Sequence, residues 1–72
     1  MDSFEKIDVM FTYHSPNADD IDSYKIIREK AKELARIIDC RTPRCADQST
    51  AIRKLRECVM TANAAIALSG IS

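Results

Sequence analysis

Two long stretches of this chain repeat core-type residues at steps of three and four, and a single break around Pro43 separates them. Such steps place side chains on one face of an α-helix, because the helix has about 3.6 residues per turn. In the first stretch these positions are Ile21, Tyr24, Ile27 or Arg28, Ala31, Leu34, Ala35 and Ile38. In the second they are Gln48, Ile52, Leu55, Val59, Ala62, Ile66 and Ser69. The pattern predicts an all-α fold, an antiparallel hairpin of two long helices over residues 17–39 and 43–69.

The expected ends of both helices carry capping residues. Asn17 predicts the N-cap of the first helix, because its side chain can accept from a backbone amide of the first turn. Thr42 and Pro43 predict the N-cap and first turn of the second helix, and Gly70 predicts its end. Residues 1–16 fit both a helical face and a strand alternation, so a short N-terminal helix or an extended arm is expected. The 72 residues allow one domain only, residues 1–72.

The second half of the second helix is apolar on every side. From Cys58 to Leu68 the residues are apolar or small except for Thr61 and Asn63. A helix of this composition is buried all round, whereas a two-helix hairpin covers one side only. A chain this short also buries only about 60% of its surface by itself. We therefore expect a compact homo-oligomer, with docking of this helix on a different protein as the alternative.

The formal net charge is zero, but the basic residues are concentrated in the middle of the chain. Residues 25–56 hold ten of the eleven basic residues and four of the eleven acidic ones. A ridge of cations runs along the first helix at steps of three and four, and consists of Lys25, Arg28, Lys32 and Arg36. Most such ridges are solvated faces with ion pairs along the helix, here Glu29 with Lys32 and Glu33 with Arg36.

The segment that precedes this ridge favours a binding role. It contains Phe11, Tyr13 and the only histidine of the chain. An aromatic ring beside fixed cations suits a nucleotide, because the base stacks on the ring and the phosphates pair with the cations. Tyr13 can fold over the start of the first helix near Lys25 and Arg28. The alternative is a half-buried core tyrosine with its hydroxyl group at the surface.

Other chemistries lack the residues that they require. His14 has no evident nucleophile or orienting acid, so we interpret it as a turn residue and expect no catalytic site. Cys40 and Cys45 form one close pair, whereas zinc sites typically combine two, so no metal or cofactor is expected. The longest uncharged run, residues 58–72, is shorter than the roughly 20 residues of a membrane span. The odd number of cysteines favours reduced thiols in a cytoplasm.

Short motifs that occur in order along residues 11–67 are similar to a known family. They are Phe11-x-Tyr13-His14-x-Pro16, Tyr24-x-x-Ile27-Arg28-x-x-Ala31-x-x-Leu34-Ala35, Cys40-x-x-Pro43, Ala51-Ile52-x-x-Leu55 and Val59-Met60-x-Ala62-Asn63-Ala64-Ala65-Ile66-Ala67. The chain resembles the hairpin domain shared by phage sponges that counter CBASS, the cyclic-oligonucleotide anti-phage signalling system, and by related Thoeris-inhibiting sponges. The final Asn63–Ala67 run is the most specific motif.

The resemblance implies a sponge that is not an enzyme. Such proteins are helical homo-oligomers, commonly hexamers, that hold cyclic dinucleotides such as cGAMP between protomers in the cytoplasm of the bacterial host. By the same resemblance, Tyr13 stacks on a base and Arg28 contacts a phosphate, while Lys25 and Lys32 assist on the same face. No membrane and no nucleic-acid polymer is implied as a partner.

Two departures from the family pattern affect these expectations. Members often have a capping serine where this chain has Cys45, so Thr42 is expected to take over the cap. Some members have an arginine after the Asn-Ala-Ala-Ile-Ala run that helps to bind cyclic trinucleotides, where this chain has Leu68 and Ser69. This argues against a trinucleotide pocket, unless Lys30 or another base fills that role. The alternatives from other classes are a helical adaptor for a host or virion protein and a binder of nucleic acid through the basic ridge.

Overall fold

The computed structural model describes residues 2–69, and these residues form three helices and no strand. Helix α1 spans Ser3–Met10, α2 spans Ala18–Arg41 and α3 spans Ala46–Ala67. Helices α2 and α3 pack against each other as a hairpin. The predicted all-α hairpin fold is therefore confirmed. The N-terminal region combines both expected forms, because α1 is followed by a non-helical segment that leads to α2.

The start of α2 is stabilised by a reciprocal pair of hydrogen bonds. The side-chain oxygen of Asn17 accepts from the Asp20 amide at 2.8 Å, and the Asp20 carboxylate accepts from the Asn17 amide at 3.2 Å. This capping box satisfies two backbone donors that the first turn leaves without partners. The prediction that Asn17 is the N-cap is thus confirmed. Helix α1 begins with a single side-chain cap, in which Asp2 accepts from the Glu5 amide at 2.8 Å.

The turn between α2 and α3 differs from the expected one. Thr42 is the C-cap of α2, and its amide and hydroxyl groups both donate to the carbonyl of Ile38. It is not the N-cap of α3, which is Cys45, four residues beyond Arg41. The reason is that a residue before proline is pushed out of the helical region; Thr42 has φ −121° and ψ 151° and ends α2. The first long helix therefore runs two residues beyond its expected end, and the second begins three residues late.

The interface between the two long helices uses most of the predicted positions. On α3, Gln48 is 6% exposed, and the next five predicted residues are half-buried: Ile52, Leu55, Val59, Ala62 and Ile66. Ser69 is exposed, because it lies beyond the end of α3. On α2, Ile21 and Leu34 were expected to be buried but are 54% and 45% exposed. Helix α3 covers only one stripe of α2, and both residues lie at the margins of that stripe. The expected stop at Gly70 lies outside the described residues.

The molecule is flat and open. Its dimensions are 46 × 27 × 14 Å, and 14 Å is little more than the thickness of a single helix. The radius of gyration is 15.4 Å, whereas a compact domain of this length has about 11 Å. No Cα atom of α1 lies within 8 Å of a Cα atom of α2 or α3. None of the helices described within residues 2–69 has the length and hydropathy of a membrane-spanning segment. One chain thus forms a single helical layer with an N-terminal arm that does not pack on it.

Candidate functional site

A groove runs along one side of the hairpin between α2 and α3. Its part nearer the turn is an open cavity of about 260 Å³. The cavity floor is formed by small or aliphatic side chains from both helices, and these are Ala31, Ala35, Ile52, Leu55, Val59 and Met60. Apart from Met60, which is 61% exposed, the floor follows from the core periodicity of the sequence, because its residues are those that α2 and α3 turn toward each other. An apolar floor of this kind can hold the flat face of a ligand.

Three cations surround this floor. Arg28 and Lys32 come from α2 and Arg56 comes from α3, so the charges flank the groove from both helices. Within residues 2–69, no acidic side chain lines the cavity. Among the residues that the structure describes, the ion pairs are Lys30–Glu33 and Arg44–Asp39, and neither involves these three cations. A groove lined by charge of one sign concentrates ions of the other sign. The arrangement therefore favours an anionic ligand.

The groove continues toward the open end of the hairpin as a second, wider cleft. This cleft is lined by Tyr24, Arg28, Met60, Asn63, Ala64 and Ala67. Arg28 and Met60 line both parts, so the two cavities are adjoining sections of one groove. Arg28 stands where they meet. Its guanidinium group can form paired hydrogen bonds with phosphate oxygens, which a lysine cannot do in the same fixed geometry.

The structure separates the four predicted binding residues into three locations. Arg28 and Lys32 lie together in the groove. Lys25 lines a different surface, with the acidic residues Asp22 and Glu29 beside it. Tyr13 is 82% exposed in the non-helical segment before α2 and is not among the residues that line the groove. An 82% exposed Tyr13 is not the half-buried core tyrosine of the alternative interpretation, whereas its role beside Lys25 and Arg28 stays a prediction.

His14 has a structural position in the arm. Its Nε2 atom is 2.7 Å from the carbonyl oxygen of Val9 near the end of α1, and the side chain is partly buried. The ring thus ties the segment after α1 back to that helix, as expected for a turn residue. The three cysteines, Cys40, Cys45 and Cys58, are exposed and not paired in disulfides. Within residues 2–69, no three His, Cys, Asp or Glu side chains gather as a metal site requires.

Among the polar groove residues, Arg56, Asn63 and Tyr24 were not predicted as site residues. Arg56 is one of three neighbouring basic residues on α3, together with Arg53 and Lys54, and the sequence holds a signal that distinguishes it. Arg56 comes one residue after the core position Leu55 and four residues before Met60, so it borders the interface between the helices. The neighbouring Arg53 does not line the groove. Asn63 is strongly polar within the apolar part of α3. Lys30, considered for a trinucleotide pocket, is paired with Glu33 at 3.4 Å.

Comparison with known proteins identifies the family to which the chain belongs. Searches of curated proteins and of solved structures gave no significant match. The family model described as "Acb2/Tad1, hairpin domain" matches residues 4–67, which is most of the chain and includes α2, α3 and all of α1 except Ser3. The matched region also contains every residue that lines the groove. The chain therefore belongs to the Acb2/Tad1 hairpin-domain family, the anti-CBASS and anti-Thoeris sponges that are linked to sequestration of cyclic nucleotides.

Proposed function

We propose that this protein binds cyclic dinucleotides such as cGAMP without cleaving them, and so lowers the free concentration of a CBASS signal. As a phage-encoded inhibitor it acts in the cytoplasm of the infected bacterium. The observation that carries the proposal is the groove with an apolar floor and three cations, to which the described part of the chain contributes no carboxylate. A cyclic dinucleotide has the complementary chemistry, since it carries two flat bases and two negatively charged phosphodiesters.

The cations have different roles in this proposal. Arg28 contacts a phosphate, because it stands at the junction of the two parts of the groove and can form paired hydrogen bonds. Lys32 adds a second charge from the same helix, and Arg56 adds a third from the facing helix. Lys25 assists only at long range, because it lies on the neighbouring surface beside Asp22 and Glu29. Tyr13 stacks on a base.

The affinity that a sponge requires supports a site shared between protomers. A nanomolar dissociation constant corresponds to about −12 kcal/mol. A charge-assisted hydrogen bond contributes about 1.5–3 kcal/mol, and stacking contributes about 1–3 kcal/mol per base. One tyrosine and one arginine fall short of the total, whereas the same residues from two copies approach it. Tyr13 lies exposed and outside the groove of its own chain, as expected if it acts on a ligand held with a neighbouring copy. We propose a homo-oligomer, a hexamer by analogy with the family.

Calorimetric titration with a panel of ligands tests this function. The panel contains 3′,3′-cGAMP, 2′,3′-cGAMP, cyclic di-AMP and a linear dinucleotide of the same bases. We expect tight binding of at least one cyclic dinucleotide and much weaker binding of the linear compound. Nucleotide recovered after heat denaturation of the complex is expected to be intact. Failure to bind any cyclic dinucleotide contradicts the proposal, and recovery of a cleaved product identifies an enzyme instead.

Two substitutions test the proposed contacts. Tyr13→Ala and Arg28→Ala are each expected to weaken cyclic dinucleotide binding by at least tenfold, about 1.4 kcal/mol, while the native mass of the assembly is unchanged. The matched control is Arg53→Ala, which removes an exposed arginine of α3 that does not line the groove. The site assignment is wrong if the two variants bind as the wild-type protein does, or if Arg53→Ala weakens binding equally.

A further inference from the structure

The side chain of Asn63 contains a buried polar atom without a hydrogen-bond partner. Its Oδ1 atom is shielded from solvent and accepts no hydrogen bond from the described residues. Buried side-chain oxygens nearly always have a partner, because leaving one without a hydrogen bond costs free energy. Asparagine is also a poorer helix former than alanine, which precedes and follows it at Ala62 and Ala64. Asn63 therefore lowers the stability of the free chain in two ways, through its unpaired oxygen and through its lower helix propensity. A functional role of its side chain would explain why a destabilising residue occupies this position.

The position of Asn63 indicates what that function is. It lines the wider cleft at the open end of the hairpin, with Arg28 across the groove on α2. Ala64 and Ala67 line the same cleft, and their small side chains leave room for a flat ring against α3. The carboxamide of Asn63 and the guanidinium of Arg28 thus belong to one cleft, one group suited to the edge of a base and the other to a phosphate.

We infer that Asn63 reads the edge of an adenine base in the bound nucleotide, an inference that rests on the proposed function. The carboxamide matches adenine on its major-groove edge, because Oδ1 accepts from the N6 amino group while Nδ2 donates to N7. The same carboxamide in this cleft gives the site a preference for adenine over a base without an amino group there. Tyr24, on the same cleft, lies beside the entering base.

The buried oxygen reaches the ligand by rotation of the carboxamide about its terminal torsion. The terminal torsion of asparagine is broad and roughly two-fold, so the carboxamide can turn at little cost. In the free protein Oδ1 has no hydrogen bond to lose. Turning it toward the cleft therefore gives Oδ1 the hydrogen-bond donor that it lacks. The alternative is that a second copy of the chain supplies the missing donor, and the experiment below separates the two.

The test compares cyclic di-AMP with cyclic di-inosine monophosphate, which has an oxygen in place of the N6 amino group. Wild-type protein is expected to bind cyclic di-AMP about tenfold more tightly than the inosine compound. Asn63→Ala is expected to lose this preference, with affinity for the inosine compound kept within about twofold. Its melting temperature without ligand is expected to equal or exceed that of the wild type. The matched control is Thr61→Ala, an exposed residue of the same helix that does not line the groove.

Four other results would contradict either the inference about Asn63 or the proposed function. Equal weakening of both ligands by Asn63→Ala shows that the residue does not read the base. A lower melting temperature or a smaller native mass for Asn63→Ala shows that the oxygen is bonded within the assembly. Equal affinity of wild-type protein for the two compounds removes the inference and leaves the proposed function intact. Failure of wild-type protein to bind either compound or any other cyclic dinucleotide removes both.

Discussion

Gln48 shows how a single polar side chain closes the turn of the hairpin. It is only 6% exposed, and its Nε2 group donates to the carbonyl oxygens of Asp39 at 3.1 Å and Thr42 at 3.2 Å. The last carbonyls of a helix have no partner within the helix. A side chain from α3 thus satisfies a carbonyl of the last turn of α2 and one of its cap. This contact fixes how the start of one helix meets the end of the other, and so where the groove begins.

Loss of this contact is expected to destabilise the fold. Gln48→Ala removes both hydrogen bonds and leaves a gap at a buried position, so the free energy of unfolding is expected to fall by about 1–3 kcal/mol. Urea denaturation at a fixed protein concentration measures the change. Ser49→Ala is the control, because Ser49 is exposed and its hydroxyl makes one long contact of 3.4 Å. Similar losses for the two variants would contradict the role assigned to Gln48.

At the level of the helix, the two long helices differ in how their N-termini are capped. Helix α2 has a complete capping box, whereas Cys45 at the N-cap of α3 forms no side-chain hydrogen bond. A cysteine thiol is a weak acceptor, and the neighbouring Thr42 hydroxyl is already used at the end of α2. The expectation that Thr42 replaces the missing cap is therefore wrong. Helix α3 is stabilised by packing on α2 in spite of its uncapped start.

Providing this cap is expected to stabilise the protein. Cys45→Ser places an oxygen acceptor at an N-cap whose backbone is already extended, with a gain of about 1 kcal/mol. For a domain of this size, that gain raises the melting temperature by roughly 4–8 °C. Thermal unfolding followed by circular dichroism measures it. Cys40→Ser, the same change at an exposed position inside α2, is expected to have little effect. An equal shift in both variants would show that removal of a thiol, and not capping, is responsible.

For the whole molecule, the important feature is surface that one chain cannot bury. The accessible surface is 5886 Å², whereas a compact monomer of this mass exposes about 4,500 Å². The difference exceeds the roughly 800 Å² that each partner contributes to a standard protein interface. Among apolar side chains of the described residues, only Leu68 is buried. Exposed apolar residues occur on α1, where Phe4 and Ile7 lie, and on the α2 face opposite the groove. These areas support the proposed homo-oligomer.

The exposed face of α2 provides a test of assembly. Ile37 is 56% exposed on this face, and a lysine there opposes burial in any interface. We expect wild-type protein to have a native mass of six chains and Ile37→Lys to have a smaller one. Ser49→Lys adds the same charge at an exposed position of α3 and is expected to leave the mass unchanged. A monomeric wild-type protein would contradict the proposed oligomer, and an unchanged Ile37→Lys mass would exclude this face as a contact.

The sequence alone determined the two long helices, the hairpin and the capping residue Asn17, because helix periodicity and capping depend on residues within a few positions of each other. It also identified Arg28 and Lys32 as a pair on one helix face. Only the tertiary structure decided that these two residues and Arg56 face one groove, while Lys25 lies on another surface and Tyr13 on neither. That outcome depends on how α2 and α3 are rotated and aligned against each other. Rotation and alignment come from packing between residues distant in the chain, which no local pattern specifies.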